Sequence, residues 1–131
     1  MPLVPPLATH GARVLAPFFP DVVWRVDGDA KVVYLTFDDA PTRTMTRELL
    51  DCLAAYDARA TFFVIGGHAE AHPELVRAIA AAGHTVGNHS YTHPYPWHTP
   101  AAELQAQLDR TTRLLRKLTG RRIRYVRPPY G

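Results

Sequence analysis

Apolar residues recur along this chain in two rhythms, short β-branched runs and stretches with helical spacing, alternating from about Lys31 onward. Val32-Val33-Tyr34-Leu35-Thr36-Phe37 is a continuous apolar run of the kind expected of a strand covered on both faces. Thr44 reads as the N-cap of a helix whose Met45, Leu49, Leu53 and Tyr56 recur near helical spacing. Ala60 to Ile65 is the second predicted strand. Pro73 then suits the first position of a helix with Leu75, Val76 and Ile79 as its buried stripe, ended by Gly83. Thr85-Val86-Gly87 makes a short third strand running into Asn88 and His89. Thr99-Pro100 opens a longer helix carrying Leu104, Leu108, Leu115 and Leu118 on one face, with Gly120 at its end. Ile123 to Val126 completes a set of four strands and three intervening helices. That alternation predicts an α/β fold with a parallel sheet and right-handed crossovers.

Composition narrows the class. With 131 residues, 47% of them apolar, the chain is one domain's worth and can build a real core. Residues 1–21, interrupted by Pro2, Pro5, Pro6 and Pro17, read as an irregular lead-in that packs against a domain beginning near Val22. The same prolines argue against a cleaved signal peptide. No stretch approaches the ~20 apolar residues of a membrane span, and the compartment stays open between cytoplasm and cell envelope. The net charge of +3 is spread out, apart from Arg121, Arg122 and Arg124, which read as a solvated loop and not as a nucleic-acid surface. Cys52 is the single cysteine, so no intrachain disulfide forms, and its helical setting marks it as a small core residue.

Three short clusters carry candidate chemistry. Asp38 and Asp39, in TFDDAP, stand at the end of the first strand, where parallel α/β folds gather their sites. Neighbours on a strand point to opposite faces, but where the chain turns both carboxylates can address one site, one bound to metal and the other serving as a base. Taken alone, Asp-Asp before Ala-Pro reads first as a surface turn, since turns favour Asp. His89 and His93, in HSYTH, are four apart, and one helical turn would bring both imidazoles to one side for chelation. Exposed loop histidines are the competing reading. Asp39 would complete a His-His-Asp set with positions left open, the arrangement of a catalytic zinc. Arg127, opening RPPYG, can hold a carboxylate bidentately. Pro128 and Pro129 stiffen the loop that follows, and Tyr130 is placed to line a pocket. His10, His68, His72 and His84 read as structural or solvated. The aromatic residues Tyr91, Tyr95 and Trp97 beside HSYTH could stack on sugar rings or pack inward.

Through TFDDAP (36–41), HSYTH (89–93) and RPPYG (127–131), the chain resembles the polysaccharide deacetylase family, the NodB-homology carbohydrate esterases of family 4. Supporting similarity runs through ATFFVIG (60–66), HPELVR (72–77) and GHTVGNHS (83–90), so the resemblance covers nearly everything from Val22. It implies a deformed (β/α) barrel, of which this chain supplies about the first four strands. It also implies metal-assisted removal of acetyl groups, usually N-acetyl, from an acetylated polysaccharide or oligosaccharide such as a chitin-like glycan or peptidoglycan. By position, Asp39, His89 and His93 would bind a divalent ion, zinc foremost, and Asp38 would be the base on a metal-bound water. Arg127 would pair with Asp38, the Tyr130 N–H would face the oxyanion, and Pro129 and Tyr130 would lie on the substrate side.

Two departures from the family pattern follow. Ala40 stands where the family usually has glycine, a methyl added at a turn. The family's tryptophan motif and its Leu-x-His motif, whose histidine protonates the leaving amine, would fall beyond Gly131. A barrel of this type needs about seven or eight strands over some 200 residues or more, so the chain reads as the N-terminal portion of a catalytic domain, expected alone to be poorly stable, dimeric or aggregation-prone. Two further readings share the fold: a non-catalytic metal- or glycan-binding remnant, and a hydrolase of another C–N amide bond.

Overall fold

β1 (Leu35–Ala40), β2 (Ala60–Val64) and β3 (Thr85–Asn88) form a parallel sheet in that order, with β2 central. The computed structural model describes residues 14–23 and 31–130, in two compact units, Met1–Val32 and Val33–Gly131. In the first unit, Ala16–Phe18 is a short 3-10 turn with Pro17 in its opening positions. Residues 1–13, His10 among them, lie outside the described residues, and so does the expectation that the lead-in packs on the domain.

Four α-helices join the strands of the second unit: α1 (Met45–Ala55), α2 (Gly66–Ala71), α3 (Pro73–Ala81) and α4 (Ala101–Thr119). The core lies where they meet the sheet, around Phe62, Val64, Val76, Ile79 and Leu115. Phe62 stacks between Phe37 and His84, with ring centroids 5.2 and 5.3 Å away. Burial of Leu75, Val76, Ile79 and Ala80 matches the stripe expected for α3, and α4 ends at Gly120 in the left-handed conformation that glycine adopts without strain (φ +66°).

Several expectations need correcting. β1 begins at Leu35, not Val32, and Val32, Val33 and Tyr34 are exposed. Nor is it covered on both faces, since only Ala40 is buried and Phe37 half-buried while its other residues are exposed. The fourth strand, expected over residues 123–126, is reduced to one parallel bridge between Val126 and Asn88. Asn88 N–H donates to the Tyr125 carbonyl and Arg127 N–H to the Asn88 carbonyl, both at 2.9 Å, so the segment touches β3 at its carboxyl end alone. Thr44 does not cap α1 with its side chain. Its backbone is already helical (φ −89°, ψ −47°), and Thr46 Oγ1 instead accepts the Thr42 N–H at 2.8 Å. Met45 and Tyr56 are exposed, and so is Cys52, because the buried side of α1 runs through Thr46 and Leu53. Among the described residues no helix is long and apolar enough to cross a membrane.

Helix α2 fills the stretch between the second strand and Pro73 for which the sequence pattern predicts no element. Its first N–H groups are satisfied from outside: Gly66 donates to the Ser90 carbonyl and Gly67 to the Tyr91 carbonyl, each at 2.9 Å. Gly66 must lack a side chain, since a Cβ there would stand 2.4 Å from both Thr111 Oγ1 and the Tyr91 ring. This close approach seats the 89–93 loop against the start of α2.

Candidate metal centre

The register between β1 and β2 explains how two adjacent aspartates reach different partners at one strand end. Phe37 pairs with Phe62, and the next pair is Ala40 with Val64, so β1 carries one extra residue across Asp38-Asp39. Such a bulge re-aims side chains that a regular pleat would send to opposite faces. Asp39 also adopts φ +59°, a left-handed conformation that aspartate tolerates better than most residues. Ala40, the departure from the family's glycine, has no positive φ and is buried, with its carbonyl accepting from Ile65 N–H at 2.9 Å. The strain falls on Asp39, so the added methyl is accommodated.

His89 follows β3 directly, and its N–H donates to the Val64 carbonyl. HSYTH is not the helical turn expected from its spacing. Two left-handed residues, Ser90 (φ +64°) and His93 (φ +56°), fold the loop back instead. The imidazoles of His89 and His93 still converge, with centroids 4.9 Å apart and planes at 67°. Asp39 Oδ1 lies 3.5 Å from Nε2 of each histidine, and the three ligand atoms all fall within 4.8 Å of one another. In a tetrahedral site with ligands near 2.0–2.1 Å, neighbouring donor atoms stand about 3.4 Å apart. The cluster therefore fits a single small ion.

The donor chemistry agrees. His89 Nδ1 is 2.7 Å from the Arg127 carbonyl oxygen, which can only accept. The ring proton thus sits on Nδ1, leaving the Nε2 lone pair facing Asp39, as metal-bound histidines are usually arranged. His89 is nearly fully buried and cannot swing away.

Asp38 takes no part in that cluster. Arg127 Nη1 donates to its Oδ1 at 2.7 Å and to Thr36 Oγ1 at 3.0 Å, while the guanidinium carbon lies 4.1 Å from the centroid of the Phe63 ring. The pairing uses one oxygen, not the two expected, and the same nitrogen also reaches Thr36. Asp38 Oδ2 has no partner among the described residues. Tyr130 is exposed, with its ring 4.9 Å from that of His93. No described residue accepts from the Tyr130 N–H. Pro129 is fully buried, so Tyr130 alone of that pair presents a face to solvent. An open cleft of about 290 Å³ lies at the opposite end of β3, lined by residues 83–86 and 121–125, and includes none of the cluster.

The profile of the polysaccharide deacetylase family matches residues 25–131. The chain belongs to that family. Its relatives include the peptidoglycan-N-acetylmuramic acid deacetylase PdaC of Bacillus subtilis, 41% identical over 106 residues, a match covering 81% of this chain and 23% of the relative. A peptidoglycan-N-acetylglucosamine deacetylase of Bacillus cereus is 41% identical over 99 residues, covering 76% of this chain and 36% of the relative. The solved structure of B. subtilis PdaC superposes with a TM-score of 0.75 at 40% identity, covering 81% of this chain and 52% of that structure. The α/β sheet is thus that of the family's deacetylases, and this family member spans under two fifths of the length of the two curated relatives named here.

Some residues that shape the centre were not singled out from sequence. Asn88, wholly buried, donates from Nδ2 to the Leu108 carbonyl and to Thr112 Oγ1, and accepts the Ser90 N–H on Oδ1. A polar residue closing an apolar strand was the available signal. His68 Nδ1 donates to the Asp39 carbonyl at 3.1 Å, a contact no local pattern announces. The Tyr91 hydroxyl donates to the Glu70 carboxylate, which holds its pKa above the ordinary value, with burial adding to the effect and Arg110 opposing it. His84 is structural, as expected: buried, with Nδ1 accepting the Ala60 N–H.

Proposed function

We propose that this protein is a metal-dependent hydrolase that removes acetyl groups, foremost N-acetyl groups, from a polysaccharide or oligosaccharide of the chitin or peptidoglycan type. One observation carries the reading: a three-donor cluster (Asp39, His89, His93) stands beside a second carboxylate, Asp38, that belongs to Arg127 and not to the cluster. A purely binding site has no use for a separately held base.

The cluster would hold a divalent ion, zinc by its nitrogen-rich donor set. Bound there, such an ion supplies Lewis acidity toward water and toward the acetyl carbonyl. Asp38 accepts the proton as the water oxygen adds to the carbonyl carbon, and Oδ2, without a partner among the described residues, is the oxygen available to take it. Arg127 keeps that carboxylate oriented. The Tyr130 N–H is the backbone donor for the developing oxyanion, and its ring bounds the substrate side. Breaking the C–N bond gives acetate and an amine, and the departing nitrogen requires a proton. The family resemblance assigns that step to a histidine in a Leu-x-His motif, and none of the seven histidines here has that setting.

The test is acetate release from N-acetylglucosamine oligomers and from peptidoglycan by the complete protein. Release is expected to stop after chelation, return with zinc, and fall by about 100-fold or more in Asp38→Asn. Release that survives full chelation would sink the proposal.

A further inference from the structure

The five backbone N–H groups of the 89–93 loop can be accounted for one by one. His89 donates to the Val64 carbonyl, Ser90 to Asn88 Oδ1, and His93 to Ser90 Oγ. The remaining two, Tyr91 and Thr92, lie between the paired histidines, and both donate to one atom, Gln107 Oε1, at 3.3 and 3.0 Å. Thr92 Oγ1 adds a third contact at 3.1 Å. Gln107 is partly buried near the middle of α4, and its Nε2 points to Glu103 Oε1 at 3.4 Å, which fixes the oxygen toward the loop. We propose that Gln107 is a positioning residue of the metal centre, a single carboxamide oxygen that holds the turn between His89 and His93 in its ligating form.

The physical case rests on what the loop would do without it. HSYTH has no helical or sheet ladder of its own and passes through two left-handed residues, Ser90 and His93. Its conformation is therefore set by outside partners. Deleting the Gln107 acceptor would leave two adjacent amides unpaired, a cost that drives a loop to rearrange toward water. Any such movement separates His93, at the far end, from His89, which stays anchored to Val64 and to the Arg127 carbonyl. Tyr91, gripped by Arg110 from the same helix, limits the movement without satisfying either amide.

This inference rests on the metal-centre reading, and its test separates the two. Zinc affinity is measured by competition with a chromophoric chelator for the wild-type protein, Gln107→Met and Gln107→Glu. Met keeps the length and removes the acceptor, whereas Glu keeps an acceptor oxygen. Gln107→Met should bind zinc about 10- to 100-fold more weakly, the range for supporting hydrogen bonds, and Gln107→Glu should recover most of the loss. Equal affinity in a folded Gln107→Met, or equal loss in both variants, overturns the proposal. If Gln107→Met does not fold, Gln107→Asn, whose oxygen falls short of the loop, replaces it with the same expectations. Amide exchange without zinc is the second readout. Tyr91 and Thr92 should exchange at least about 10-fold faster in the acceptor-less variant, and unchanged rates overturn the proposal. If the wild-type protein ignores zinc while the acceptor-less variant still shows this acceleration, the metal reading falls and Gln107 remains the anchor of the loop.

Discussion

His89 reaches through Nδ1 to the backbone carbonyl of Arg127, 2.7 Å away, while the Arg127 side chain reaches in another direction to Asp38, also at 2.7 Å. One residue thereby serves both halves of the site by separate means. Its main chain orients a donor of the cluster, and its guanidinium holds the carboxylate outside it.

That division predicts a split phenotype. Arg127→Ala keeps the carbonyl and loses the guanidinium. Deacetylation by the complete protein is expected to fall by about 100-fold or more, while zinc affinity changes by less than the ~10-fold typical of a lost supporting bond. Turnover assays and chelator competition on the same preparation check it. Parallel losses in both would mean that the side chain supports the cluster after all.

His84 predicts an acid sensitivity that has nothing to do with the site. Burial, with the nearby Arg59 charge, lowers its pKa below the ordinary 6.5. The unfolded chain therefore binds a proton at a pH where the folded protein does not. Stability contributed by neutral His84 is present above about pH 6.5 and declines as the pH falls toward the lowered value, levelling off beneath it. In His84→Asn, whose side-chain oxygen can accept the same Ala60 N–H, the loss of stability between pH 7.5 and 5.5 should shrink. Urea melts at the two pH values read this, and an unchanged difference would contradict it.

Gly66 and Gly120 should respond differently to alanine. At Gly66 the new Cβ meets Thr111 Oγ1 and Tyr91 Cδ2 at 2.4 Å, and Tyr91 is itself held by Arg110 and Glu70. A loss of about 1–3 kcal/mol is expected from the overpacking, and the Gly66–Ser90 hydrogen bond would weaken with it. At Gly120 nothing lies within 4 Å, so Gly120→Ala meets only the left-handed backbone penalty of about 1–2 kcal/mol. Zinc affinity distinguishes the two better than melting does: Gly66→Ala should reduce it, and Gly120→Ala should leave it unchanged.

Much of the architecture was legible before any coordinates. The β2 run, the α3 stripe and the long α4 each repeat an apolar period over enough residues to be read, and Pro73, Gly83 and Gly120 punctuate them. The errors fall where local composition and tertiary context disagree. Val32 to Tyr34 has the apolar content of a strand but no partner strand among the described residues to pair with. Residues 123–126 have the same character, yet meet β3 only at its carboxyl end, through Tyr125 and Val126. Helix α2 forms in spite of its glycines because loop carbonyls complete its first turn.

For the candidate centre, Asp38, Asp39, His89, His93 and Arg127 were named as a set through the family resemblance that their three motifs carry together, since each cluster alone also reads as an ordinary turn or loop. Geometry was a different matter. The bulge that turns Asp38 and Asp39 to separate tasks, the left-handed residues that fold HSYTH, and the Gln107 oxygen beneath it all depend on contacts between segments distant in sequence. Hydrogen-bond partners of that kind leave no periodic trace in a single chain, since any of several residues on α4 could have met those amides until the helix was docked.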